Sequence, residues 1–369
     1  MNYYIIAGEA SGDLHGSNLI KELRKIDTEI NIRCWGGDLM QQSGATLVKH
    51  YRSLAFMGFT EVIKNLPTIL KNISFCKKDI TAFNPDALIL VDYPGFNLRI
   101  AKWAKQQGIK VIYYISPQIW AWKENRIHQI KKNVDKMLVI LPFEKAFYQK
   151  WNYSAEYVGH PLVEVINHFI ENNKHNKNPW EQKKVIALLP GSRKQEILKK
   201  LPIMLSVTKH FPDYHFVVAK APGLEESFYD EMMSPYLNVS MVTNRTYELL
   251  LHSQAALVTS GTATLETALF GVPEIICYKG NNISYQIAKR LIKIKFIGLV
   301  NLIMGREVVK ELIQHELTLQ NILAELNLIL TDSAKQQKIK SDYTELKRLL
   351  SEGGNASKNA AAIIVNLLK

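Results

Sequence analysis

The chain has 369 residues, 47% of them hydrophobic and 22% charged, with a formal net charge of +12. That length suits two α/β domains better than one core, and the balance is that of a water-soluble globular protein. No run approaches the roughly 18–20 apolar residues of a membrane span, and Cys34, Cys76 and Cys277 are too few and too scattered for a disulfide framework or a zinc site.

The opening Met-Asn-Tyr-Tyr-Ile-Ile-Ala-Gly has no basic leader and no long apolar core, so it reads as a first strand, over 3–7, and not as a signal peptide. A helical pattern follows over 15–26, with Leu19, Leu23 and Ile26 at three- and four-residue spacing. Strands are predicted over 31–35, 87–91, 111–115, 136–140 and 155–158, with helices between them. Apolar runs of strand length alternating with helices predict a parallel, doubly wound sheet covered on both faces. The Asn-rich stretch within 170–184 reads as an interdomain linker. The rhythm then restarts over 184–189, 215–219, 239–242, 255–259 and 274–278, predicting a second doubly wound domain. Helices over 317–330, 333–350 and, after Gly353-Gly354, 356–368 close the chain. The fold class is α/β, and the three cysteines are expected as buried, reduced thiols of a cytosolic protein.

In such sheets ligands sit beyond the carboxyl ends of the strands, so the loops there are where chemistry is to be sought. Ser260-Gly261-Thr262-Ala263 turns from a strand into a helix, with Glu266 a turn further on. Its small residues let a ligand approach the backbone, and the helix amides suit a pyrophosphate. The rival reading is a Ser or Thr helix cap. Gly191-Ser192-Arg193 is the matching loop after the domain's first strand, and the Arg193 fork suits phosphate oxygens unless it is a plain surface arginine. Neither a Walker A loop nor a GxGxxG fingerprint is present.

In the first domain, Gly8 to Gly16 packs Glu9, Ser11, Asp13 and His15 into one strand-to-helix loop. Glu9, Asp13 and His15 suit acid–base or hydroxyl-binding work, and Ser11 or Asp13 equally suits a helix cap. Asp92 ends an apolar strand and is either a general base or a turn aspartate before Pro94-Gly95. Trp120 and Trp122 suit sugar stacking or core packing. The apolar residues of 56–73 and the basic amphipathic residues of 283–297 suit lipid and an anionic bilayer, or ordinary core and surface. Charge alone leaves nucleic acid, an anionic membrane and a polyphosphate open as partners. A nucleic-acid binder lacks support from any basic-aromatic stripe or recognised module.

GEASGDLHG at 8–16, VDYPGFN at 91–97, SPQIWAWKENR at 116–126, VGHPL at 158–162, LPGSR at 189–193 and SGTATLE at 260–266 occur in order. Together they closely resemble the lipid A disaccharide synthase family, from Ile5 to about Glu311. The pair Leu14-His15 departs from the one common in that family. The resemblance implies a GT-B fold of two Rossmann-like domains facing a central cleft. Residues 1–170 would bind the acceptor and lipid and 180–340 the UDP-sugar, while helices in 341–369 return to the first domain.

The implied activity is inverting transfer from UDP-2,3-diacylglucosamine to 2,3-diacylglucosamine 1-phosphate, with UDP released. It implies no cofactor, metal or nucleic acid, leaves room for a homodimer, and places the protein peripherally on the cytosolic face of an anionic inner membrane. Asp92 is the first choice of base, then Glu9 or Asp13. Arg193, Gly191, Ser192, Ser260, Gly261, Thr262, Ala263 and Glu266 are expected at the donor. Ser11, Met57, Phe59, Asn97, Trp120 and Asn301 are expected at the acceptor and its acyl chains. Other UDP-sugar enzymes of this fold, a peptidoglycan N-acetylglucosaminyltransferase or a UDP-N-acetylglucosamine 2-epimerase, are the alternatives.

Overall fold

The computed structural model describes residues 1–54, 66–180, 183–221, 223–281, 285 and 295–369. It divides into two compact units, Met1–Pro161 with Leu350–Lys369, and Leu162–Leu349.

The first unit is built on strands β1 (Asn2–Ala7), β2 (Asn31–Gly36), β3 (Thr46–His50), β4 (Ala87–Val91), β5 (Lys110–Tyr114), β6 (Lys136–Val139) and β7 (Ala155–Tyr157). They form one sheet in the order β3-β2-β1-β4-β5-β6-β7, every pairing parallel. Side chains alternate across it, so Tyr3, Ile5 and Ala7 enter one core and Tyr4 and Ile6 the other. Both faces are covered, which is why the central strands are apolar throughout. Helix Ala10–Ile26 and the last helix, Ala356–Leu368, share one face. Ala356, Ala360, Ala361, Ile364 and Val365 make the buried stripe of that last helix. Its start is capped by Asn355, whose side chain accepts from Lys358 N at 2.8 Å.

The second unit has β8 (Lys184–Leu189), β9 (Tyr214–Lys220), β10 (Val239–Thr243), β11 (Ser253–Thr259), β12 (Glu274–Tyr278) and β13 (Lys310–Ile313). Their order is β10-β9-β8-β11-β12-β13, again parallel throughout.

Two boundaries differ from those expected. Helix Pro161–Asn173 runs through position 170 and groups with the second unit. Phe169 pins it there, 5.4 Å from the Tyr247 ring and 6.0 Å from Phe270. At the other end, helix Ser333–Ser351 stays with the second unit as far as Leu349, so the first unit regains the chain at Leu350 rather than 341. Two strands were not foreseen, β3 and β13. Each is a sheet edge, with one neighbour and a half-polar sequence that shows no apolar run.

Each sheet reverses its strand order once, between β1 and β4 in the first unit and between β8 and β11 in the second. At such a switch point the chains leaving two adjacent strands diverge to opposite faces and open a crevice at the strand ends.

Candidate active site

The four loops singled out in the sequence lie in pairs at these two switch points. In the first unit Ala7 pairs with Val91, so Gly8-Glu9 and Asp92-Tyr93 leave the sheet side by side. A Cβ on Gly8 would lie 2.3 Å from the Tyr93 ring, so only glycine allows this approach. Asp92, Tyr93 and, at the end of β5, Ile115 all have left-handed backbone, with φ of 43°, 48° and 65°. Such non-glycine positions are strained and persist only where the surroundings hold them. Here the Asp92 N–H donates to the carbonyls of Tyr114 and Ile115, each at 3.3 Å. The Asp92 carbonyl accepts from Asn97 Nδ2 at 2.7 Å and from the Tyr113 hydroxyl at 2.6 Å.

With its backbone pinned, Asp92 presents a half-buried carboxyl at the strand end. Burial, reinforced by the charge of Glu9, pushes that carboxyl up to about 7. Glu9 itself is the N-cap of helix Ala10–Ile26 and makes no side-chain cap bond. A carboxyl poised near neutrality beside a second carboxylate is suited to accept a proton.

Other expected residues of this unit are placed differently. Asp13 points inward, 3% exposed, and accepts from the backbone N–H groups of Gly37 (2.7 Å), Leu39 (3.1 Å) and Met40 (3.1 Å). Its lone pairs serve as the cap of the turn after β2, which leaves it unsuited to a base. Ser11 is exposed in the first turn of its helix. Burial holds His15 down to about 4 and, with His15 nearby, His160 down to about 3, so both are neutral imidazoles of the interior. Asn97 is wholly buried and holds the Asp92 turn instead of reaching a ligand. The Trp120 indole N–H is taken by the buried Glu144 carboxyl at 3.1 Å, and Trp122 is the exposed tryptophan of the pair, at 53%. Met57 and Phe59 lie outside the described residues, as does most of 283–297.

At the second switch point a cavity of about 420 Å³ is lined by Gly191, Ser192, Arg193, Ser260, Gly261, Thr262, Ala263 and Glu266, all eight residues expected at the donor. Gly261 is the N-cap of helix Thr262–Leu269, with φ 148° and open space where a side chain would stand. No side chain caps this helix start, and the Ser260 hydroxyl donates elsewhere, to the Ile297 carbonyl at 3.0 Å. The amides and the positive end of the helix therefore face the cavity. Arg193 is 59% exposed at its rim, 3.4 Å from Glu196. Half-buried Glu266 accepts from the Tyr247 hydroxyl at 2.8 Å, and burial raises its carboxyl above the usual range.

Asn301 belongs to this unit and is not a ligand group. It is fully buried, donates to Val309 O and Glu311 Oε1, and accepts from the N–H groups of Val308 and Val309. Glu311 in turn accepts from Ile297 N and Gly298 N, at 2.9 and 3.0 Å, so the pair anchors the segment that receives Ser260.

The sequence reading missed Lys200. It lies one and two helical turns beyond Glu196 and Arg193, yet it is 2% exposed, donates to Thr259 Oγ1 and sits 3.7 Å from Glu196. Burial lowers its pKa, with Glu196 opposing. It is a fixed cation against the Gly191 and Thr259 ends of the cavity. The face it shares with Arg193 was the available signal. Among the described residues no three His, Cys, Asp or Glu side chains gather to hold a metal ion.

Known proteins share this chain's sequence and fold. The family model described as lipid-A-disaccharide synthetase matches residues 3–365. The lipid-A-disaccharide synthase of Geobacter metallireducens is 37% identical over 99% of this chain and 96% of its own, and that of Syntrophus aciditrophicus 38% over 99% and 97%. Among solved structures, the UDP-GlcNAc 2-epimerase of Neisseria meningitidis bound to UDP-GlcNAc superposes with a TM-score of 0.69 at 15% identity, covering 100% of this chain and 99% of that one. The calicheamicin glycosyltransferase CalG4 gives 0.63 at 15%, covering 99% and 98%. These two show the shared GT-B fold.

Proposed function

The chain belongs to the lipid-A-disaccharide synthase family, and from that membership we propose that its two switch-point sites join acylated glucosamines by a single inverting displacement. The protein is a glycosyltransferase that forms the lipid A disaccharide. In the proposed reaction, UDP-2,3-diacylglucosamine is the donor and 2,3-diacylglucosamine 1-phosphate the acceptor. The second unit's cavity takes the UDP end: amides from Gly261 to Ala263 and Arg193 face the pyrophosphate, Lys200 backs the wall through Thr259, and Glu266 faces the ribose.

Asp92 takes the proton of the acceptor's 6-hydroxyl. The oxygen bonds to the donor's anomeric carbon as the bond from that carbon to the β-phosphate oxygen breaks. UDP leaves with the electron pair, and helix amides and cations stabilise the charge that develops on it. The observation that carries this reading is the Asp92 carboxyl, held at a strand end by a strained turn and pushed up to about 7.

The test is a mass-resolved product assay with both lipids. Asp92→Asn is expected to lower turnover by about 10²–10⁴-fold at saturating donor; turnover near that of the parent would reject Asp92 as the base. A free epimerised sugar in place of a disaccharide would overturn the reaction itself.

Working on lipid substrates, the protein is proposed to sit peripherally on the cytosolic face of the inner membrane. Among the described residues no helix is long and apolar enough to cross a bilayer. Support comes from the net charge of +12 and from Leu70 and Phe75, 57% and 47% exposed on helix Leu66–Phe83.

A further inference from the structure

A second, larger cavity, of about 680 Å³, opens in the first unit. Its walls are Pro94 and Gly95, Arg99 from helix Pro94–Gln106, and Trp122, Lys123 and Arg126 from the chain after β5. Three cations and one tryptophan thus share its lining. Lys123 Nζ lies 4.2 Å from the Trp122 ring centroid, and the Arg126 guanidinium carbon lies 5.9 Å from it. Arg99 donates to the Gly95 carbonyl at 2.5 Å.

Among the described residues none of the three cations makes an ion pair. The carboxylate in the lining, Glu124, accepts the indole N–H of Trp151 at 3.1 Å. The cations therefore strain against one another. Burial and Arg126 hold Lys123 below its ordinary value, and burial and Arg99 do the same to Arg126, with Tyr113 opposing. A dianion would relieve that repulsion, and a guanidinium fork suits phosphate oxygens. Trp122 adds a flat face, 53% exposed, of the kind on which a sugar ring stacks.

The cavity also adjoins the proposed base. Pro94-Gly95, in its wall, directly follows Asp92-Tyr93 in the chain.

We propose that this cavity binds the phosphate monoester of the acceptor, a sugar 1-phosphate, with Arg99, Lys123 and Arg126 around the phosphate and Trp122 against the pyranose ring. The inference rests on the transfer reaction proposed above and adds a second anion site, separate from the donor's. In a glucosamine 1-phosphate, C1 and the carbon bearing C6 flank the ring oxygen. A phosphate gripped in this cavity leaves the 6-hydroxyl on the side of the ring free to reach Asp92. The same cations could equally grip phospholipid head groups, since the phosphate chemistry is shared, and the experiment separates the two sources.

The test compares the full chain with Lys123→Gln and Arg126→Gln, using acceptor with and without its 1-phosphate in neutral detergent micelles. Each variant is expected to raise KM for the phosphorylated acceptor about tenfold or more, with kcat and donor KM within about twofold of the parent. On the dephosphorylated acceptor, parent and variants should converge, and binding to vesicles containing phosphatidylglycerol should be unchanged. An unchanged acceptor KM, an equal loss on both acceptors, or lost vesicle binding with normal micellar kinetics would each overturn the proposal.

A parent protein that makes no disaccharide would defeat the reaction reading, and the phosphate site is then decided by calorimetry with glucosamine 1-phosphate. Saturable binding weakened about tenfold or more by Arg126→Gln supports the site. No binding, or equal binding to parent and variant, rejects it.

Discussion

The Tyr113 hydroxyl donates to the backbone carbonyl of Asp92 at 2.6 Å, tying β5 to the turn that leaves β4. Asn97 Nδ2 reaches the same oxygen at 2.7 Å. A left-handed aspartate followed by a left-handed tyrosine is costly, by roughly 1–3 kcal/mol per residue, and these two donors hold it in place. Tyr113→Phe should lower stability by about 1 kcal/mol. It should also lower kcat about tenfold with both KM values little changed, because the loss is in aim and not in binding. Steady-state kinetics and thermal melts check this; an unchanged kcat would show that the turn holds its shape without the hydroxyl.

As the proposed base, Asp92 should also link activity and stability to pH with opposite signs. Its folded value, about 7, lies above the ordinary 3.8. Folding therefore favours the protonated acid, and stability falls as pH rises from about 4 to about 7. Activity rises over the upper part of that window as the base ionises. Asp92→Asn removes the titration, so it should be more stable than the parent by about 3–5 kcal/mol at pH 8 and near parity at pH 4. Melts at the two pH values decide it, and a constant difference would refute the shifted carboxyl.

Arg193 at the rim of the proposed donor cavity and Lys200 behind its Thr259 wall are opposite kinds of cation, one 59% exposed and one 2% exposed. Arg193→Ala should weaken UDP binding about tenfold or more by calorimetry with no change in melting temperature. Lys200→Met should weaken UDP binding similarly, yet leave stability equal or higher, because a desolvated charge is replaced by an apolar chain of like length. Unaltered UDP affinity in either variant removes that residue from the donor site.

Asn301 and Asp13 should behave as scaffold. Asn301→Ala strips hydrogen bonds from Val308, Val309 and Glu311, and Asp13→Ala leaves three N–H groups of 37–40 without their acceptor. Each should destabilise by about 2–4 kcal/mol while the protein that remains folded at low temperature keeps its UDP affinity. A selective loss of turnover without destabilisation would return either residue to the active site.

Much of this was legible in the chain. Runs such as 87–91 and 184–189 coincide with β4 and β8, because a parallel strand buried on both faces must be apolar along its length. Small residues, glycines and charged groups at 8–16, 91–97, 189–193 and 260–266 marked the loops, because a backbone that turns sharply at a strand end needs them. Local composition therefore determined which segments form strands and which loops border the crevices.

What only the tertiary structure decided is which polar groups in those loops remain available. Asp13 and Asp92 look alike in sequence, but Asp13 meets three amides from 24 to 27 residues away and Asp92 meets none of them. Trp120 and Trp122 differ because Glu144 takes one indole. Lys200 looks like any helix lysine until Thr259, 59 residues on, closes over it. Hydrogen bonding and desolvation are settled by neighbours in space, and those neighbours are brought together only when the sheet assembles.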